Sequence, residues 1–224
     1  MPHFVKSYDQ QLKKLRKMLY QQALLADKQV KVAFQALVNN DHSQAEKIKK
    51  KDKEINQLNQ DIRTIAIEVI ALRQPMAYDL RLLISAISIS NDIERIGDVA
   101  KSFVKKIDAF QPENYGDNII KRIHDMLEAA SKMHLDVLEC LKSKGPEEAI
   151  KIWRQDDLVD EEYKTLFQEI LNKNEKSDDV NSVIKLLFVL KGIERIADHA
   201  TNIAEDIYYI YKGTSLLDHI AGSK

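Results

Sequence analysis

Residues 184–207, IKLLFVLKGIERIADHATNIAEDI, align without a gap on residues 84–107, ISAISISNDIERIGDVAKSFVKKI, 100 positions earlier. Eight of the 24 positions are identical: Ile84, Ile93, Glu94, Arg95, Ile96, Asp98, Ala100 and Ile107 recur at Ile184, Ile193, Glu194, Arg195, Ile196, Asp198, Ala200 and Ile207. Similarity at a fixed long interval marks a duplicated structural unit. Helical core spacing alone reproduces the isoleucines. It does not reproduce Glu-Arg-Ile-x-Asp, where three of the four shared residues are charged, so a second constraint acts on this stretch.

On an α-helix each residue advances about 100°, and residues i and i+4 share a face. Ile193, Ile196, Ala200, Ile203, Ile207 and Ile210 therefore draw one apolar stripe, with Glu194, Asp198, Thr201 and Glu205 beside it and Asn202 next to these. In the earlier copy Ile93, Ile96, Ala100, Phe103 and Ile107 form the stripe and Glu94 and Asp98 flank it, but Lys101 and Lys105 stand where Thr201 and Glu205 stand later. Gly97 and Ala197 share a small position suited to close helix approach, while Arg95 and Arg195 sit a further step round, toward solvent or another helix, and read as surface ion-pairing residues. His199 has no counterpart at Val99 and reads as an edge residue rather than a ligand.

A fainter echo precedes each copy. DKEIN at 52–56 matches DDLVD at 156–160, so Asp52 and Asn56 pair with Asp156 and Asp160, again at i, i+4 and one step from an apolar stripe. The stripes are Ile55, Leu58, Ile62, Ile65 and Val69 in one half and Val159, Tyr163, Leu166 and Ile170 in the other. If the two helices of each half pack antiparallel, Asp52, Asn56, Glu94 and Asp98 converge on one groove and Asp156, Asp160, Glu194 and Asp198 on another. Like charges at i, i+4 cost ~0.2–0.5 kcal/mol, and carboxylates meeting across helices repel further, so such a groove calls for a cation. Oxygen donors without thiolates suit hard metals such as magnesium or manganese, and iron where carboxylates bridge it.

The rest of the 224 residues supports an all-α chain. Glycine and proline are few, six and four, and most fall at helix stops. A first helix is expected over about residues 5–39, with Leu12, Leu15, Leu19, Ala26, Val30, Ala33 and Leu37 on one face. A second runs from Asp41, with Gln44 three residues on in capping-box spacing, to Pro75, and a third starts at Pro75. The polar segment QPENYGDN at 111–118 is the clearest boundary, dividing the chain into units 1–112 and 113–224. Beyond it a fourth helix spans about 117–143, a fifth starts at Pro146 and breaks near NEKSDD, and a sixth ends at Gly213. Short connections fold consecutive helices back on each other, giving two tandem antiparallel three-helix bundles.

Charge and composition narrow the function. Residues 1–112 hold 19 basic against 13 acidic side chains and residues 113–224 hold 15 against 22, an asymmetry that suits head-to-tail self-association or a partner meeting one half, yet the basic run at Lys47, Lys49, Lys50, Lys51 and Lys53 reads as a solvated helix face. The longest stretch without charge, Leu82–Asn91, has ten residues against the roughly 20 of a membrane span. MPHFVKSYDQQ at the start lacks the regions of a signal peptide, and the single Cys140 closes no intramolecular disulfide, so a reducing cytoplasm is expected.

Taken together, LRQPMAYDLRLL at 72–83, NDIERIGDVA at 91–100, IKIWRQDDLVDEEY at 150–163 and GIERIADHATNIAEDI at 192–207 resemble the signatures of the PhoU family of phosphate-uptake regulators. The resemblance implies a cytoplasmic, dimeric protein of two similar three-helix bundles, without catalytic activity. It implies negative regulation of phosphate uptake and of the phosphate-starvation response, by bridging a phosphate ABC transporter and a sensor histidine kinase, with membrane association only through those partners. It also implies metal at the ExxxD-type motifs, whether iron, manganese, magnesium or zinc, on Asp52, Asn56, Glu94 and Asp98 and on Asp156, Asp160, Glu194 and Asp198, with Asn202 as an additional or outer ligand. The family pattern often has an acid or amide beyond the first ExxxD where this chain has Lys101 and Ser102, which sets the N-terminal group apart. A carboxylate-bridged di-iron oxidase is the rival enzymatic reading, but it needs Glu-x-x-His, and none of the six histidines has a glutamate three places before it. The remaining alternative is a purely structural helical interaction protein with solvated acids.

Overall fold

The stripe of the first helix, Leu12, Leu15, Leu19, Ala26, Val30, Ala33 and Leu37, is buried throughout in the structure, a computed structural model that describes residues 2–109, 115–141, 145–173 and 180–222. That helix, α1 (Pro2–Val38), reverses at Asn39 and at Asn40, whose φ is +53°. Asp41 then accepts hydrogen bonds from the Ser43 N–H at 2.9 Å and the Gln44 side-chain amide at 3.1 Å, so the expected Asp-x-x-Gln cap closes side chain to side chain. One 3-10 turn, His42–Gln44, leads into α2 (Ala45–Arg73). Gln74 ends α2 in the left-handed region with φ +48°, its N–H reaching the Ile70 carbonyl at 3.3 Å. Pro75 stands just ahead of α3 (Ala77–Val104) rather than in its first turn.

The second half holds α4 (Asp117–Glu139), α5 (Gly145–Trp153), α6 (Asp156–Lys173), α7 (Val180–Lys212) and a short α8 (Leu216–Ala221). Among the described residues there is no strand. Of the two polar segments read as breaks, 174–179 and residues 111–114 lie outside the described residues.

The structure corrects one element. The fifth helix is not continuous from Pro146: α5 stops at Trp153 and α6 restarts at Asp156. Between them the Gln155 N–H bonds back three residues to the Ile152 carbonyl at 3.0 Å, tightening the last turn, and Leu158 bonds to the Gln155 carbonyl at 3.1 Å. No glycine or proline marks this break. What favours it is a pair of aspartates, Asp156 and Asp157, in the positive first turn of α6.

Each half wraps around its repeat-bearing helix. Helices α1 and α2 pack on α3, α4 to α6 pack on α7, and α3 lies along α7, with α1 also reaching α4. One apolar core runs through both halves, from Leu12 to Ile210. Burying an isoleucine contributes about 1.5–3 kcal/mol, and the stripes of α3 and α7 carry several each, all at most 1% exposed.

The α3–α7 seam depends on a glycine that the repeat gives no reason to expect. A methyl group on Gly192 would sit 2.9 Å from Phe103 Cε1 and 3.3 Å from Val99 Cγ1, while at Gly97 its one tight contact would be the end of the Ile55 side chain, Cδ1, at 3.1 Å. Phe103 is fully buried and stacked edge-on against Phe34, with ring centroids 6.2 Å apart, so it has no room to retreat. Overpacking costs about 1–3 kcal/mol, against about 1 kcal/mol gained from replacing a helical glycine by alanine. Gly192→Ala should therefore lower the thermal unfolding midpoint more than Gly97→Ala does. An unchanged or raised midpoint in Gly192→Ala would contradict this seam.

Candidate metal centre

In the C-terminal half the acids converge as their spacing requires. Val159, Leu166 and Ile170 of α6 and Ile193, Ile196, Ala200 and Ile203 of α7 are buried, which turns the flanking stripes toward one rim. Helix α6 brings Asp156 from its first residue and Asp160 one turn on, and α7 brings Glu194 and Asp198. One carboxylate oxygen from each of Asp156, Asp160 and Asp198 lies within 4.8 Å of the others. Glu194 joins them electrostatically and is only 8% exposed.

These charges are poorly compensated. Burial pushes the Asp156 carboxyl up to about 6, and Asp160, Asp198, Glu194 and Asp157 add to the shift. Glu194 is raised too, by burial first, with Asp198 and Asp160 adding to it and its ion pair to Lys191 working against it. Lys164 lies 3.5 Å from Asp160, but no basic side chain among the described residues pairs with Asp156 or Asp198. Asp156 Oδ1 and Glu194 Oε2 are buried without a hydrogen-bond partner; Asp52 Oδ1 and Asp98 Oδ1 in the other half also lack one, but lie 3.1 and 2.6 Å from the Lys101 ammonium. Such oxygens are costly unless neutralised, and four carboxylates with lone pairs to spare fit a hard cation.

The N-terminal half assembles the matching positions differently. Lys101 Nζ lies 3.1 Å from Asp52 and 2.6 Å from Asp98 Oδ1, joining α2 to α3. Asn56 donates to Asp52 Oδ2 at 3.3 Å, and Arg95 reaches Asp98 Oδ2 at 3.4 Å and Glu94 at 4.0 Å. Burial opposes the Lys101 charge, yet the bonds to Asp98 and Asp52 hold its pKa above the ordinary lysine value.

Asn202 does not join the Asp156 group. Four residues make 400°, so it stands 40° round from Asp198, and its amide donates to Asp92 Oδ1 at 3.3 Å instead. Glu205 likewise turns to α5, accepting from Trp153 Nε1 at 3.1 Å. His199 is satisfied by Asp92, at 2.8 Å, as an edge residue should be. Asp92, Asn202 and Glu205 border a cleft of about 600 Å³ between α3, α7 and the start of α8, which also holds Asp206, raised to about 6 by burial against the opposing bonds of Ser88 and Ser85. The repeat carried an unused sign of this cleft, because Asp92 and Asp206 replace what are Gly192 and Lys106 at the equivalent positions.

The Asp156 shift sets a pH dependence for the metal-free protein. A carboxyl that titrates near 6 when folded and near 3.8 when unfolded binds its proton more tightly in the folded state, so its ionisation costs stability fully above about pH 6. That penalty is relieved as pH falls from about 6 to about 4. In chelator, Asp156→Asn should be more stable than the parent at pH 7–8, and the advantage should shrink across that window. A difference in unfolding midpoint that stays constant from pH 8 to about 4 would refute it.

The PhoU domain model matches this chain twice, over residues 9–107 and 123–207. The phosphate-specific transport system accessory protein PhoU homolog of Rhizobium meliloti is 36% identical over 212 residues, covering 94% of this chain and 90% of the relative. The homolog of Clostridium acetobutylicum is 34% identical over 210 residues, covering 93% and 95%. The crystal structure of the phosphate transport system regulatory protein PhoU from Streptococcus pneumoniae superposes with a TM-score of 0.85 at 27% identity, covering 93% of this chain and 99% of that one. PhoU from Pseudomonas aeruginosa superposes with a TM-score of 0.82 at 31% identity, covering 92% and 100%. With two matched repeats, relatives above 30% identity along nearly its whole length and the same helical architecture, this chain belongs to the PhoU family.

Proposed function

We propose that this chain is a negative regulator of phosphate uptake and of the phosphate-starvation response, acting as a metal-loaded helical adaptor between the phosphate ABC transporter and a sensor histidine kinase. Its relatives are named as accessory or regulatory proteins of phosphate-specific transport, which supports a role exercised through binding rather than catalysis. A cytoplasmic homodimer without nucleic-acid partners belongs to the same reading. No helix among the described residues is long and apolar enough to cross a membrane, and association with the bilayer would run through the partners.

The observation that carries the metal part is the meeting of Asp156, Asp160 and Asp198 with the buried Glu194. These four would hold the ion, whether magnesium, manganese, iron or zinc. A bound cation supplies positive charge and nothing more is asked of it. The chain's own residues do the rest: α6 and α7 deliver carboxylates from two helices to one point, so neutralising them fastens one helix to the other. Metal would thereby brace the surface these helices offer to a partner.

Glu194→Ala/Asp198→Ala should lose metal, read by elemental analysis after dialysis against manganese, with helicity by circular dichroism unchanged. A free ligand at about 100 times its Kd stabilises by about 2.7 kcal/mol, or roughly 5–10 °C in a domain of this size, so manganese should raise the unfolding midpoint of the parent and not of the variant. Metal retained at parental level in that variant would remove these residues from the site. In the cell, deletion of the gene should leave phosphate-starvation genes expressed in phosphate-rich medium, and a plasmid-borne copy should restore repression. Normal repression in the deletion strain would overturn the regulatory reading.

A further inference from the structure

We propose that Lys101 is a built-in counter-ion that occupies the place of metal in the N-terminal carboxylate group, so that this chain takes up metal in its C-terminal half alone. The inference rests on the metal reading of the C-terminal group and concerns what the duplication did to its twin.

The two groups occupy equivalent places: Asp52 and Asn56 on α2 answer to Asp156 and Asp160 on α6, and Glu94, Asp98 and Lys101 on α3 answer to Glu194, Asp198 and Thr201 on α7. Two of the five positions differ, and both differences make the N-terminal group less negative. An amide replaces a carboxylate at Asn56, and an ammonium replaces a hydroxyl at Lys101.

Geometry shows what the second change accomplishes. The Lys101 ammonium is one turn along α3 from Asp98 and bonds to Asp98 and, across the groove, to Asp52, whose side chain is 11% exposed. It thus makes the helix-to-helix link that a cation makes between opposed carboxylates. With Arg95 on the second oxygen of Asp98 and Asn56 on Asp52, both acids already have positive or hydrogen-bonding partners. In the C-terminal group Thr201 spends its hydroxyl on the Asp198 backbone carbonyl at 2.7 Å, leaving the Asp156–Asp198 gap unbridged. Lys191 is no counterpart of Lys101, because its ion pair is to Glu194 on its own helix and its ammonium stands over the Tyr163 ring at 5.4 Å, so it does not link α7 to the aspartates of α6.

A divalent ion entering the N-terminal group would have to expel the ammonium from two carboxylates and then tolerate a like charge one side-chain length away. Removing an ammonium strongly held by two acids leaves it unpaired, and the metal gains only three carboxylates in return. The α2–α3 rim is therefore fastened whether or not metal is present, and only the α6–α7 rim responds to it.

The test measures manganese bound to the full chain, by equilibrium dialysis and elemental analysis, in four proteins. These are the parent, Glu194→Ala/Asp198→Ala, Asn56→Asp/Lys101→Thr, and the variant combining all four changes. The parent should bind at the C-terminal group and Glu194→Ala/Asp198→Ala should bind none. Asn56→Asp/Lys101→Thr should hold about twice the parental metal, and the combined variant should keep the new half. Metal persisting in Glu194→Ala/Asp198→Ala and removed by adding Asp52→Asn would overturn the proposal, since the N-terminal group would then load despite the lysine. No gain in an Asn56→Asp/Lys101→Thr protein whose helicity is parental would overturn it equally, and Lys101→Met, which keeps the side-chain stem, supplies the folded control. A parent without metal beside a variant that gains it would refute the C-terminal reading while sustaining the role of Lys101. Absence from both would refute the two together.

Discussion

Mutual repulsion among carboxylates at the edge of an apolar core is the constraint to which the rest of this molecule answers. A helix that buries isoleucines every third and fourth place must carry something at the margin, and long solvated side chains are the usual solution. Here the margin of α7 carries Glu194 and Asp198, and α6 meets them with Asp156 and Asp160. Their cost shows in the upward shift of Asp156 and in buried oxygens without partners. The two halves of the chain meet the same problem differently: an ammonium of the chain itself links the acids of α2 and α3, and among the described residues no such link joins Asp156 to Asp198.

Much of this was legible before any coordinates. The gapless repeat announced two related units, and the 100° periodicity placed each acid beside its apolar stripe, because burial of isoleucine fixes the rotation of a helix and leaves its neighbours little choice. Convergence of Asp156, Asp160 and Asp198 follows from that rotation. Less legible was the break between α5 and α6, which uses neither glycine nor proline. Two aspartates at a helix start look, in sequence, much like two aspartates inside one. Asn202 turns elsewhere for a simpler reason: i+4 spacing leaves a 40° residue that accumulates, and one more turn carries its amide to Asp92 on α3.

Lys101 illustrates a different limit. Its position in the repeat was visible, and so was its departure from the family pattern. Its partner was not, since an ion pair to Asp52, 49 residues away, is decided by how closely α2 and α3 approach. Gly97 contributes to that approach by presenting no side chain to Ile55.

The notch at Gly192 has a consequence for how the duplicated halves behave. Gly192 lies two residues before Glu194, so the helix that carries the C-terminal acids is keyed into Phe103 and Val99 of the other half almost at the same level. With one apolar core continuing through this joint, the copies are not beads on a string. They share a spine, and melting either repeat strips the other of a wall, so the ancestral duplication survives here as a single cooperative body.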